Sequence, residues 1–379
     1  MTDPTDTDIP NTSVDDELIV HLPHLRLVTT ALGILGIQVT GTPEQHRPLD
    51  LARLKLAGSA DVTNVLAQLR AHFAAQYGQW MPLMDSNQHV ATVIGMPQPK
   101  SMSISDDPEQ TDPPAPVPFT PAGRGIRVGV LDTKIDAHPD LIGRFVAEPS
   151  ARYRPLPEPV PLRAGHATFV ASLITRMAPA VTIDAHAVLN RNGRATAWHT
   201  ATAMMTFADS GIDILNLSLG CRTNDGLAPL LMSRAVTLLN QRMLIVAAAG
   251  NHGAADDLNL RVAPTWPAAL PDVVAVGARG LDGKRAPFSP NLPWVTCTAP
   301  GEKVTGGYLK ALIATTKSGP QQFDGYATWS GTSFATATVS GAIAAATHRR
   351  DVRAALARLL AESNGVVRQF TQCDDDQRA

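Results

Sequence analysis

Three residues with the chemistry of an orienting acid, a base and a nucleophile lie far apart in this sequence of 379 residues. Asp132 ends an apolar run, His166 precedes a helical pattern, and Ser333 precedes another. An aspartate that orients a histidine, and a histidine that accepts the serine proton, make a hydroxyl nucleophilic at neutral pH. The three residue types therefore predict attack of Ser333 on a carbonyl carbon.

Ser333 on its own has two interpretations. It precedes residues 334–347, a run of mostly small side chains that predicts a helix packed close to other backbones. A serine at this position commonly caps the helix by accepting a bond from a backbone N–H. The same free N–H groups and the positive end of the helix dipole also suit a hydroxyl whose attack creates negative charge.

The elements that would position these residues begin after Gly125. Apolar strands alternate with helical patterns, which predicts an α/β fold: a three-layer domain with a mostly parallel sheet flanked by helices. Functional groups in such sheets gather beyond the carboxyl ends of the strands. The predicted strands are 126–131, 181–189, 212–219, 243–249 and 273–276, and the predicted helices are 168–175, 197–210, 227–241 and 334–347.

The rest of the chain divides by composition. Residues 17–96 predict a small α+β accessory or propeptide-like domain, with a helix that begins after Asp61, and residues 97–123 predict a linker because they contain eight prolines and several acidic residues. The larger domain is placed at residues 124–362. The polar ends, residues 1–16 and 363–379, predict a disordered N-terminus and a C-terminal tail.

The order Asp, His, Ser is the order of the triad in subtilisin. The segments Val-Leu-Asp-Thr (130–133), Gly-His-Ala-Thr (165–168) and Gly-Thr-Ser-Phe-Ala (331–335) resemble the signature blocks of subtilisin-like serine proteases. Asn-Leu-Ser-Leu-Gly (216–220) and Ala-Ala-Gly-Asn (248–251) resemble two further blocks of that family. The resemblance extends from about residue 125 to 345, and it implies a subtilisin-like fold and a serine endopeptidase.

The resemblance also implies a role for each matching residue. Ser333 would attack the peptide carbonyl, His166 would act as base and then acid, and Asp132 would orient the imidazole. Asn251 would donate its side-chain amide to the oxyanion, together with the backbone N–H of Ser333. An isolated Asn251 before a glycine would otherwise be interpreted as a turn residue.

The resemblance implies a binding groove for a polypeptide substrate. One strand would pair by its backbone with the extended substrate, and a neighbouring segment with small side chains would line the primary specificity pocket and admit a large apolar side chain. The strand residues are Ser218, Leu219 and Gly220, and the pocket residues are Ala248, Ala249 and Gly250.

Three residues depart from the family pattern. Lys134 and Ala167 replace glycines, and Ala337 replaces a proline. If the glycines serve a special backbone conformation, these replacements predict a strained site, and Lys134 would compete for the carboxylate of Asp132. They motivate an alternative function, in which a catalytically silent domain binds peptides through residues 218–220.

The small N-terminal domain also has two interpretations. In the family, a domain of this size and position often acts as a folding aid and inhibitor whose tail enters the active site. That resemblance predicts an intramolecular contact between the N-terminal domain and the active site. The other interpretation is an ordinary accessory or recognition domain, and the sequence leaves both open.

Several function classes are excluded or disfavoured by composition. The formal net charge of −2 gives no reason to expect a nucleic-acid partner. Three cysteines lie far apart without metal-ligand spacing, and residues 175–180 lack the carboxylates of the family's long calcium loop, so no metal or cofactor is predicted. No glycine-rich phosphate loop follows a strand, which argues against a nucleotide-binding protein.

Targeting signals are not apparent. Residues 1–16 are acidic and polar, unlike a secretory signal, and no run approaches the roughly 18 apolar residues of a membrane-spanning helix. We therefore predict a cytoplasmic protein without a membrane partner.

Overall fold

The computed structural model describes residues 12–58, 61–93, 107–316, 319–362 and 365–370. The predictions for residues 1–11, for the first part of the linker and for the end of the C-terminal tail lie outside these ranges.

The N-terminal region, residues 12–93, forms an antiparallel sheet with two helices on one face. The strands β1–β4 are ordered β4-β1-β3-β2, and Leu18 of β1 packs with Val28 and Val65 of the helices in a core of its own. The elements are β1 (Ser13–His21), α1 (Leu25–Ile34), β2 (Val39–His46), β3 (Leu51–Leu56), α2 (Val62–Gln76) and β4 (Met84–Thr92).

Sequence patterns find most of this region but miss β2. As predicted, Asp61 precedes α2, and its Oδ1 accepts a hydrogen bond from the backbone N–H of Thr63 at 3.0 Å. Strand β2 is a mostly exposed edge strand that contains Pro43. An exposed edge strand does not need an apolar face, and it can contain a proline because the N–H groups on its open side pair with no neighbouring strand. Its sequence therefore carries no clear hydrophobic pattern.

The larger region contains an eight-stranded sheet, ordered β18-β15-β14-β13-β11-β6-β9-β7, in which only β18 is antiparallel to its neighbour. Its strands are β6 (Arg127–Asp132), β7 (Phe145–Ala147), β9 (Thr182–Ala187), β11 (Ile214–Leu217), β13 (Leu244–Ala248), β14 (Val274–Arg279), β15 (Cys297–Pro300) and β18 (Arg368–Gln369).

The helices of the larger region cover both faces of this sheet. Buried residues of β6 divide between the faces: Val130 packs with the cluster of α3 and α7, and Leu131 with that of α4 and α5. This arrangement confirms the predicted α/β class. The helices are α3 (His166–Met177), α4 (Ala197–Met205), α5 (Leu230–Leu239), α6 (Leu258–Val262), α7 (Thr332–Ala346) and α8 (Val352–Ala361).

The remaining strands of the larger region lie outside the eight-stranded sheet. Strands β10 and β12 pair with β4 of the N-terminal region, and the other four form a smaller sheet ordered β5-β17-β16-β8. Strand β5 lies within the predicted linker and pairs with β17, so part of that segment is attached to the larger region. These strands are β5 (Glu109–Gln110), β8 (Val160–Pro161), β10 (Arg194–Thr196), β12 (Leu219–Gly220), β16 (Val304–Ala314) and β17 (Pro320–Trp329).

The small-residue helix α7 packs as its composition predicts. A Cβ at Gly341 would lie 2.7 Å from the Cβ of Met177 and 2.8 Å from the carbonyl oxygen of Ile174, both in α3. The two helices therefore approach closely because position 341 has no side chain. This contact fixes the axis of the helix that begins beside Ser333.

None of the helices in the described ranges has the length and apolar character needed to cross a membrane.

Candidate active site

Asp132 and His166 form a buried pair at the carboxyl edge of the large sheet. Asp132 ends β6, and His166 begins α3. The Nδ1 of His166 lies 2.8 Å from both carboxylate oxygens of Asp132, and both side chains are fully buried. The backbone N–H of Thr133 donates to Oδ1 of Asp132 at 2.6 Å, which holds the carboxylate in place. The pair thus has the geometry of an aspartate that orients an imidazole.

Aromatic rings enclose the imidazole of His166. The ring centroids of Trp329 and Phe334 lie 5.9 and 5.6 Å from that of His166. Its Nε2 is buried and has no hydrogen-bond partner in the part of the chain that the structure describes. The orientation of the ring therefore depends on Asp132 and on packing against Trp329 and Phe334.

Ser333 is the second residue of α7 and does not cap it. The cap position is Gly331, which makes no side-chain hydrogen bond. The Oγ of Ser333 donates to the carbonyl oxygens of Val93 at 2.8 Å and Ser218 at 3.1 Å. The backbone of Gly331 is extended, a conformation that any residue can adopt. A glycine is favoured here because a Cβ would lie 3.1 Å from the carbonyl oxygen of Val93.

Asn251 faces the same carbonyl oxygen. Its Nδ2 donates to the oxygen of Val93 at 3.3 Å. Its Oδ1 accepts from the backbone N–H of Thr332 at 2.9 Å and from the Thr332 hydroxyl at 3.0 Å. Thr332 therefore fixes which end of the amide points at Val93. Sequence reasoning missed this supporting role, because a threonine beside a serine carries no signal of a contact 81 residues away.

Strand β4 lies in the groove that was predicted to bind an extended peptide. It is flanked on one side by β12, where Leu219 pairs with Thr92 and Gly220 with Ala91. The Val93 N–H donates to the carbonyl oxygen of Ser218 at 3.2 Å. The backbone of residues 218–220 thus pairs with an extended segment of this same chain.

The other side of β4 pairs with β10, a strand that sequence analysis missed. Arg194 pairs with Ala91, and the Thr92 N–H donates to the carbonyl oxygen of Gly193 at 2.9 Å. Strand β10 has only three residues, each of them half-buried, so it has no apolar period to reveal it. The segment that ends at Val93 is therefore held from both edges.

The predicted pocket residues differ in their contacts. Ala248 packs against Val93 in a small buried cluster. The Ala249 N–H donates to the carbonyl oxygen of Val276 at 3.0 Å and belongs to the sheet. The Gly250 N–H donates to the Thr332 hydroxyl at 3.1 Å. Of the three, Ala248 contacts the side chain in the groove.

The departures from the family pattern cause none of the predicted backbone strain. Neither Lys134 nor Ala167 belongs to the positive-φ residues of the described ranges. The Lys134 side chain is exposed, and the carboxylate of Asp132 is bonded to His166 and Thr133. Ala167 lies in α3, where its N–H donates to the Thr133 hydroxyl at 3.1 Å. Both positions therefore accept a side chain.

No group of three or more acidic, histidine or cysteine side chains in the described ranges is arranged to hold a metal ion.

The fold and this edge of the sheet define a class of α/β proteins with an acid, a histidine and a serine beside a groove, which strand β4 fills here. The sequence model of the Subtilase family matches residues 123–361, well over half of the chain. The chain therefore belongs to the subtilase family.

The chain is similar to two bacterial proteases in sequence and to one solved structure in fold. The thermostable alkaline protease of Halalkalibacterium halodurans is 32% identical over 236 residues, 59% of this chain and 56% of that protein. An intracellular serine protease of Paenibacillus polymyxa is 30% identical over 234 residues, 59% of this chain and 66% of that protein. The chain thus spans less than two thirds of either relative.

The solved structure is that of fervidolysin from Fervidobacterium pennivorans, a keratinolytic enzyme related to subtilisin. It covers 90% of this chain and 56% of its own length, with a TM-score of 0.62 at 16% sequence identity. At that identity the likeness concerns the fold.

Proposed function

We propose that this chain is a serine endopeptidase that hydrolyses peptide bonds through the triad Asp132, His166 and Ser333. The observation that carries the proposal is the position of the Val93 carbonyl oxygen, which accepts hydrogen bonds from the Oγ of Ser333 at 2.8 Å and the Nδ2 of Asn251 at 3.3 Å. The peptide carbonyl of Val93 therefore lies beside both the nucleophile and an amide donor, the two groups that acyl transfer needs at a carbonyl.

In the proposed reaction, the Oγ of Ser333 attacks the carbonyl carbon while Nε2 of His166 takes its proton. The oxyanion that forms is stabilised by the Asn251 amide and the Ser333 backbone N–H. His166 then protonates the leaving amine, and water hydrolyses the acyl-enzyme by the same base. Asp132 keeps the imidazole in the required tautomer and stabilises its charged form.

The arrangement corresponds to a resting state. The Ser333 hydroxyl donates to two carbonyl oxygens, whereas Nε2 of His166 is without a partner in the described ranges. Attack requires the hydroxyl of Ser333 to pass its proton to Nε2 of His166, which it cannot do while it donates to these two oxygens. We infer that the bound strand keeps the nucleophile in the inactive orientation.

The N-terminal region fits the role of an intramolecular inhibitor. Its last strand, β4, pairs with residues 219 and 220, and the carbonyl oxygen of Val93 accepts a hydrogen bond from Ser333. We propose that residues 17–96 are a propeptide-like domain and that the bond between Val93 and Ile94 is the site of self-cleavage. Polypeptide substrates would then bind where β4 now lies.

The proposal is tested by probe labelling and intact mass. A fluorophosphonate should label Ser333 in the wild-type chain and leave the Ser333→Ala variant unlabelled. The intact mass of the wild type should show cleavage after Val93, whereas Ser333→Ala should remain whole, because removal of the corresponding serine in subtilisin costs about a millionfold in kcat. A wild-type chain that neither labels nor cleaves itself or peptides would refute the proposal.

The alternative is a catalytically silent domain that binds peptides along residues 218–220. Its motivation was backbone strain at Lys134 and Ala167, and neither residue has a positive φ. The same experiment distinguishes the two, since a silent domain would bind peptides without cleaving them. A cytoplasmic location stays a prediction, and the relative from Paenibacillus polymyxa, an intracellular serine protease, is consistent with it.

A further inference from the structure

The side chain of Val93 occupies a closed pocket beside the catalytic residues. Val93 is 1% exposed and packs against Ala248, which is fully buried. A Cβ at Gly220 would lie 3.7 Å from the Cγ2 of Val93, so the valine methyl fills the space over this glycine. The pocket thus holds a short branched side chain without leaving it exposed to solvent.

Thr265 packs against Gly220, the glycine beside the Val93 methyl, and against Gly250. Its Cγ2 would lie 2.8 Å from a Cβ at Gly220, and its Oγ1 would lie 2.6 Å from a Cβ at Gly250. Thr265 is fully buried. The branched side chain of Thr265 therefore occupies the space over Gly220 next to the Val93 methyl.

The backbone around Thr265 prevents the pocket from widening. The next residue, Trp266, exchanges two backbone hydrogen bonds of 2.9 Å with Cys221, which follows the groove strand β12. The Oγ1 of Thr265 is buried without a hydrogen-bond partner in the described ranges. Thr265 therefore acts through its shape, and its position is fixed by the paired backbones.

We infer that Thr265 limits the residue before the cleaved bond to valine and side chains of similar or smaller size. Aromatic residues and methionine would require space that Thr265 occupies, and overpacking a closed site is costly. The inference rests on the proposed protease function and narrows its substrate class. It differs from the large apolar preference that the small residues 248–250 suggested.

Self-cleavage of the full chain provides the first test. Val93→Phe should slow cleavage between residues 93 and 94 by about 10–200-fold, the range by which pockets discriminate side chains by size. The double variant Val93→Phe/Thr265→Ala should be cleaved at least about tenfold faster than Val93→Phe alone, a gain within the same range. Val93→Ala should still be cleaved, and the thermal unfolding of each chain shows whether it is folded.

A second measurement does not depend on substitutions at residue 93. The wild-type chain is incubated with a mixed peptide pool, and the new ends are identified by mass spectrometry. We expect cleavage after valine, threonine and alanine in the wild type, and additional cleavage after phenylalanine in Thr265→Ala. Thr265→Val serves as the matched control, because it retains the branched shape and should retain the preference.

The possible failures are distinguishable. A wild-type chain that cleaves neither itself nor peptides overturns the proposed function. A chain that cleaves after phenylalanine as readily as after valine leaves that function in place and overturns the inference. A Thr265→Ala variant with unchanged preference likewise overturns the assignment of Thr265.

Discussion

The carbonyl oxygen of Val93 lies 2.8 Å from the Oγ of Ser333, although 240 residues separate the two in sequence. Strand β4 reaches this position because β10 and β12 pair with its two edges. The N-terminal region therefore places its own backbone against Ser333.

The amide of Asn251 should stabilise the transition state. Asn251→Ala should lower kcat by roughly 10²–10³, the range for the corresponding donor in subtilisin. The measurement is the rate of peptide hydrolysis. Asn259→Ala, the same deletion at an exposed residue of α6, should leave the rate unchanged. Equal rates for both variants would exclude the oxyanion role.

Asp132 should act by fixing the tautomer of His166. Asp132→Asn preserves size but offers an N–H to Nδ1 in place of an acceptor, so kcat should fall by about 10⁴, as in other serine proteases with this triad. Asp209→Asn, at a carboxylate that is 90% exposed, provides the control. A loss of less than tenfold in Asp132→Asn would contradict the assigned role.

Gly341 should be required for the contact between α3 and α7. Gly341→Ala places a methyl group 2.7–2.8 Å from atoms of Met177 and Ile174, and overpacking of this kind costs about 1–3 kcal/mol in the free energy of unfolding. Gly33→Ala in α1 is the matched control, because a Cβ there meets no atom within 4 Å. It should stabilise the chain by roughly 0.5–1 kcal/mol. Denaturant unfolding of both variants and of the parent chain measures these changes in the free energy of unfolding.

Asp85 should make docking of the N-terminal region depend on pH. Its Oδ2 accepts from the Leu230 N–H at the start of α5 at 2.8 Å, and burial raises the pKa of its carboxyl. Asp85 lines a cavity of about 400 Å³ between the two regions. Since the raised pKa belongs to the docked state, docking takes up protons. The stability that protonated Asp85 gives the docked state is fully present below the usual carboxyl pKa of about 4. It is lost as the pH rises through the raised pKa.

The measurement is unfolding of the inactive Ser333→Ala chain from pH 4 to 7, with and without Asp85→Asn. The asparagine still accepts the Leu230 bond but does not titrate, so the stability of the parent should fall relative to the variant as pH rises. The difference between the two chains should be small, because Asp85 is only partly buried and solvent screens its charge. Parallel pH profiles would contradict the prediction.

Local pattern was sufficient for much of the fold. The apolar strands of the large sheet, the cap at Asp61 and the close packing of α7 all follow from periodicity, turn chemistry and side-chain size. The boundaries were less accurate: the strand predicted at 212–219 is two strands, β11 and β12, separated at Ser218. Strands β2 and β10 were missed because edge strands with polar, half-exposed residues have no hydrophobic period.

The sequence by itself determined the residue types of the site and the elements that carry them, because acid, histidine and serine stand at predictable ends of strands and helices. Only the tertiary structure decided what those residues contact. The Val93 carbonyl at Ser333, the support of Asn251 by Thr332 and the closing of the pocket by Thr265 all join segments far apart in the chain. Such contacts depend on strand register and on how closely backbones pack, and neither quantity is encoded in the local pattern around any one residue.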